Sequence, residues 1–161
     1  MDIKEKRHRL PKEFYVGEIS VSFTLCLKGQ IRAFIKPEIV KIFKDILTSV
    51  VATEDCIVPV YCFMPDHQHL ILTGTTGNSN VWGAMLKYKQ KTGFWMSTNK
   101  PEMRWQKDFY DHIIRTNENI ATQVRYILDN PVRRGLLSSW QEYPFMGSIG
   151  CKLENILLGI I

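Results

Sequence analysis

Residues 18–28, EISVSFTLCLK, alternate without a break, with Ile19, Val21, Phe23, Leu25 and Leu27 set against Ser20, Ser22, Thr24, Cys26 and Lys28. A period of two places the apolar set on one face of an extended chain, so the segment reads as a half-buried strand. Such a strand needs sheet partners and a layer over its apolar face. The layer is supplied next: Pro37 is a good first helical residue, and Ile39, Ile42, Phe43, Ile46, Leu47 and Val50 follow at helical spacing. The runs 56–63 and 67–73 are short and β-prone, and Met64, Pro65 and Asp66 between them suit a turn, which predicts an antiparallel pair. Pro59 pushes the first run toward an edge or a bulge. A second helix is expected over 79–97, with Met85, Tyr88, Thr92, Trp95 and Met96 on one stripe, and a further strand over 108–114. Thr116 or Asn117 then caps a third helix that ends at Pro131. The order β-α-β-β-α-β-α predicts an α+β fold: a ferredoxin-like antiparallel sheet with helices packed on one face.

The chain has 161 residues, 45% of them hydrophobic, with no repeat and no Pro/Gly-rich linker. One domain over 1–161 is therefore expected, with a basic amino-terminal arm at 1–14 and a carboxy-terminal tail at 149–161. No apolar stretch approaches the ~20 residues of a membrane span. The opening residues carry mixed charge where a secretory signal needs an apolar segment. Cys26, Cys56, Cys62 and Cys151 stand among apolar neighbours with no C-x-x-C pair. These features predict reduced thiols in a cytoplasmic protein that avoids membranes.

Lysine and arginine number 21 against 16 acidic residues, a net charge of +5, which favours a polyanionic partner. Basic residues gather in the first twelve positions, Arg7 and Arg9 among them, and again over 87–107, where Lys87, Lys91, Arg104 and Lys107 stand. The second cluster is interleaved with Trp82, Tyr88, Phe94, Trp95 and Trp105. Two readings remain open for it. One is a solvated helix face over core aromatics; the other is a single-strand nucleic-acid surface, where bases stack on rings and cations meet phosphates.

Two groups of residues can carry chemistry. His67 and His69 are two apart on a strand, so both imidazoles project from one face and can grip one metal ion, or form a plain structural pair. On the third helix Tyr126 falls about 140° from the centre of the Ile120, Val124, Ile127 and Leu128 stripe, at ~100° per residue. It is either a surface tyrosine or a phenolic nucleophile. Asn130, one turn on, can offer a neutral carbonyl oxygen and so complete a His/His/Asn set with open positions for substrate. His112 reads as hydrogen-bonded to a neighbouring polar group. The phosphate-loop, dinucleotide, hydrolase-elbow and zincin motifs are all missing from the sequence.

The segments MPDHQHLIL (64–72), WQKDFYDHIIR (105–115), YILDNPVRRGLL (126–137) and EYPFMGS (142–148), with RHRLP at 7–11, resemble the one-tyrosine single-strand DNA transposases, above all the REP-associated branch. The resemblance implies a His-hydrophobic-His endonuclease in which His67, His69 and Asn130 hold a divalent metal, Mg2+ or Mn2+, and Tyr126 is the nucleophile. It implies cleavage and rejoining of DNA through a 5′-phosphotyrosine at hairpin-flanked sites, by a monomer or a homodimer. Arg7, Arg9, Lys87, Lys91, Arg104, Lys107, Arg133 and Arg134 are the expected contacts to single-stranded or hairpin DNA. A catalytically silent module that binds hairpin DNA or RNA is the alternative, and a metal phosphoesterase using activated water is a second. Gln68 stands where the family usually has a hydrophobic residue, and Asp66 where asparagine is frequent.

Overall fold

The computed structural model describes residues 9–160, so Arg7 and the rest of the first eight positions lie outside the described residues. Five strands form one sheet: β1 (Ser20–Cys26), β2 (Cys56–Met64), β3 (His67–Gly74), β4 (Tyr110–Ile114) and β5 (Met146–Ile149). Their spatial order is β4-β1-β3-β2-β5, and every neighbouring pair is antiparallel. The first four strands follow the split β-α-β plan, with helix α1 (Pro37–Thr53) joining β1 to β2 and α2 (Val81–Asn99) joining β3 to β4. Pro65 and Asp66 make the β2–β3 turn. Pro59 sits where the β2 register slips between Ile57 and Val60, the bulge that its missing N–H requires.

Helices α1 and α2 cover one face of the sheet. Between them and the strands lies the larger core, in which Phe34 packs at 5.1 Å centroid distance against both Phe43 and Phe63, all buried. The expected one-sided packing holds for these two helices alone. Helix α3 (Ile120–Leu128) and the short α5 (Leu153–Leu157) pack on the opposite face, where Val124, Ile127, Leu128 and Ile156 close a second core over Val60, Cys62, Met64 and Ile71. The strands are apolar on both faces in the middle of the sheet, so a single layer would have left this second set in water.

Three boundaries differ from the sequence reading. Helix α3 starts at Ile120, because Asn119 supplies the cap by accepting from the Ala121 N–H at 2.8 Å; Thr116 and Asn117 stay in the loop. The helix stops at Leu128, and Asn130–Arg133 forms a separate turn, α4, with Pro131 in its first positions. Of the expected tail at 149–161, Ile149 ends β5, which pairs with β2, and Ile156 of α5 is buried in the second core; Ile161 lies outside the described residues.

Candidate metal centre and nucleic-acid interface

Strand β3 runs through the middle of the sheet, and its pleat turns His67 and His69 toward the α3 side. Their ring centroids are 4.8 Å apart with planes at 88°. Each ring has its Nδ1 engaged. Asp66, in the turn, accepts from His67 Nδ1 at 2.7 Å, and Thr24, the cross-strand partner of His69 on β1, places its Oγ1 2.9 Å from His69 Nδ1. A ring whose Nδ1–H is held in this way presents Nε2 as a lone pair. The Nε2 of His67 is buried and has no hydrogen-bond partner among the described residues. Burial lowers the pKa of both rings, and for His69 the neighbouring His67, Arg133 and Arg134 push it further, to about 3. Both imidazoles are therefore neutral at pH 7, the form that binds metal.

Among the described residues no three His, Cys, Asp or Glu side chains converge as a metal cage. Cys62, paired with His69 across β2, is fully buried with its thiol pushed up to about 12 by desolvation, so it stays protonated. Asn130, two residues beyond Leu128 of the second core, is 7% exposed, and Arg133 and Arg134, which act on His69, stand three and four residues after it.

Tyr126 points away from the core, with 65% of its surface exposed. It is not loose. The Arg133 guanidinium lies 4.0 Å from its ring centroid, and Nη2 of that arginine lies 2.8 Å from the Tyr126 carbonyl oxygen and 3.5 Å from Asn130 Oδ1. One side chain thus connects the tyrosine, the asparagine and the field at His69. Tyr126, Asn130 and Arg133 come together because α4 starts two residues after α3 ends and turns Arg133 back toward the last turn of that helix.

The sequence matches the family described as "Transposase IS200 like" over residues 15–130. The chain belongs to that family. A curated relative from Haemophilus influenzae, the "Putative REP-associated tyrosine transposase", is 28% identical over 97 residues, which are 52% of this chain and 54% of the relative. The match thus spans about half the length of that protein. A solved REP-associated tyrosine transposase bound to a REP hairpin superimposes with a TM-score of 0.72 at 20% identity, over 89% of this chain and 82% of that one, and so has the same fold.

Within this IS200-like fold the expected basic contacts divide. Arg133 and Arg134 stand on the histidine side. Lys87 and Lys91 are on α2, across the sheet from the histidines, and Lys87 is paired with Glu54. Arg9 is used internally: its Nε donates to buried Asp111 at 2.8 Å, and its guanidinium lies 4.7 Å from the Trp82 ring centroid and 5.1 Å from that of Phe109. Arg104 and Lys107 are exposed in the segment leading to β4. His112 meets Glu118 at 2.9 Å, a hydrogen bond to a nearby polar group.

Two features of the site escaped the sequence reading, and the packing of Gln68 is a third that it left open. Thr24 supports His69 only through cross-strand register. Gln68, the unusual middle residue, turns to the α2 side, where it is fully buried and accepts from the Tyr88 hydroxyl, while its Nε2 has no partner among the described residues. Gln30 and Arg32 join Asp66, His67, Arg134 and Leu136 around a cleft of about 290 Å3. For Gln68 the signal was its departure from the family pattern, at a strand position facing away from the two histidines; for Thr24, Gln30 and Arg32 there was none.

Proposed function

We propose that this chain is a metal-dependent single-strand DNA endonuclease and transposase that cleaves and rejoins DNA at hairpin-flanked sites. The observation that carries the reading is the buried, unpartnered Nε2 of His67, beside a second neutral imidazole and with its own Nδ1 held by Asp66. His67, His69 and the Asn130 side-chain carbonyl oxygen would hold a divalent cation; two imidazoles by themselves suit zinc or manganese better than magnesium, and the family resemblance implies Mg2+ or Mn2+. Such a cation withdraws charge from a bound phosphodiester and stabilises the transition state.

The protein groups then have distinct tasks. Tyr126 Oη attacks the phosphorus in line, and the bond to the 3′ oxygen breaks. The phenol gives up its proton and the departing 3′ oxygen takes one up. The 5′ phosphate stays on Tyr126, as the family resemblance implies, so a second 3′-hydroxyl can reverse the step and join strands without a nucleotide cofactor. Arg133 orients the tyrosine, and Arg133 and Arg134 supply positive charge to the phosphate. The named hairpin ligand of the structural relative supports hairpin DNA as the substrate class. Exposure of the Tyr126 ring is compatible with action in its own subunit or across a homodimer.

A covalent-adduct gel tests the proposal. Labelled hairpin DNA with single-stranded flanks should migrate with the protein when divalent metal is present, and not with Tyr126→Phe or with chelator. Retained binding with no adduct under any condition would favour the silent binding module; cleavage that survives Tyr126→Phe would favour activated water.

A further inference from the structure

The cleft in front of His67 is walled by the β2–β3 turn and by two further pieces of chain. Arg32 and Gln30 come from the loop between β1 and α1, and Arg134 and Leu136 from the end of α4 and beyond. The first loop is fixed to the turn that precedes His67 by two backbone bonds, Leu27 N–H to Asp66 O at 2.9 Å and Phe34 N–H to Pro65 O at 3.0 Å. Arg32 lies between these two anchors, so its backbone has a set position relative to the histidines. Neither Arg32 nor Arg134 is ion-paired or hydrogen-bonded through its side chain among the described residues. Arg9 and Lys87, by contrast, are paired with carboxylates. Among the described residues Asp66 is the one carboxylate lining the cleft, and it is bonded to His67, so the described lining carries two guanidiniums to one carboxylate. A guanidinium offers paired N–H donors that match phosphate oxygens.

We infer that this cleft seats the phosphate of the nucleotide next to the scissile one, gripped between Arg32 and Arg134, with the exposed Leu136 and Gln30 forming the surface for its sugar and base. The inference rests on the reading of the histidine face as the place where a phosphodiester is cut. It adds a DNA contact, Arg32, in a loop that carries none of the metal or nucleophile residues. It also gives Arg134 a partner on the facing wall.

The salt dependence of binding isolates such contacts. Each phosphate contact to a single strand contributes about 0.7 to the slope of log K against log salt. Affinity for a labelled oligothymidylate is measured by fluorescence anisotropy in chelator over a range of salt, for the full chain and four variants with unchanged circular dichroism. Arg32→Ala and Arg134→Ala are each expected to lower the slope by about 0.7 and the double variant by about 1.4. Lys152→Ala, between β5 and α5, should leave it unchanged. An Arg32→Ala protein with the full slope and affinity overturns the inference. The adduct gel on the unsubstituted chain separates this failure from that of the nuclease reading. Adduct present with the Arg32→Ala slope intact rejects the cleft alone, whereas lowered slopes with no adduct reject the nuclease and leave the phosphate seat standing.

Discussion

The Arg133 guanidinium lies 4.0 Å from the centroid of the Tyr126 ring. Seven positions apart, the two residues meet because the chain ends α3 at Leu128 and begins a new turn at Asn130, which returns Arg133 toward the preceding turn of helix. An exposed cation–π contact contributes only about 0.5–1 kcal/mol, so its value here is placement.

Arg133→Ala should therefore slow adduct formation about 10–100-fold, the scale on which misplaced reacting groups are felt, while stability changes by about 1 kcal/mol or less. Arg133→Lys keeps the charge and loses the planar stacking, and should fall between the two. Single-turnover adduct rates and denaturant melts check this pair of outcomes; equal rates in all three proteins would remove Arg133 from the site.

The depressed histidines make a pH prediction. A histidine whose pKa is lower in the fold than in the unfolded chain binds more protons when unfolded, so stability falls as pH drops below about 6.5 and goes on falling toward the folded value, about 3 for His69. In chelator, the unfolding free energy should decline by up to about 1.4 kcal/mol per pH unit for each such ring, and His69→Gln should make the decline shallower. For the same reason a metal-induced rise in melting temperature should persist at pH 6, where an ordinary histidine pair is largely protonated.

Asp66 fixes the His67 ring through Nδ1. Outer partners of this kind are worth 10–100-fold in metal affinity, so Asp66→Ala should weaken Mn2+ binding by about that factor in calorimetry. Asp66→Asn keeps an oxygen that can accept from Nδ1 and should weaken it less. Equal losses in both variants would mean that the charge, not the hydrogen bond, is what His67 uses.

Gln68 and Tyr88 form a buried pair on the far side of the sheet. Tyr88→Phe leaves the whole Gln68 amide without a partner and should cost about 1–3 kcal/mol. Adding Gln68→Leu should recover most of that loss, because removing both partners together leaves no orphaned group. A double variant as unstable as Tyr88→Phe in urea melts would contradict the pairing.

The strands and the first two helices were legible because their apolar residues repeat at periods of two and about 3.6, a local property of the chain. The second core was not: Ile156 and Val124 meet Ile71 and Met64 only when α3 and α5 fold back over the sheet, and nothing in a short window of sequence reports that. Pro131 was read as the end of one helix, whereas the structure uses it to open another turn, so the positions of Asn130 and Arg133 relative to Tyr126 could not be derived from helical spacing alone. His67 and His69 were legible as a same-face pair. Their supports, Thr24 across the ladder and Asp66 in the turn, depend on register and turn geometry. Among the cations, sequence clustering favoured Lys87 and Lys91, yet the fold sends them across the sheet and brings Arg133, Arg134 and Arg32 to the histidines.

One covalent bond, between Tyr126 and a 5′ phosphate, decides the proposed mechanism. Hairpin DNA is incubated with the protein and Mn2+, the adduct is digested with nuclease and protease, and the modified peptide is sequenced by mass spectrometry. The predicted result is a nucleotide joined through its 5′ phosphate to Tyr126, with none on Tyr126→Phe. Strand cleavage without any modified peptide, or a nucleotide carried by a different side chain, would contradict it.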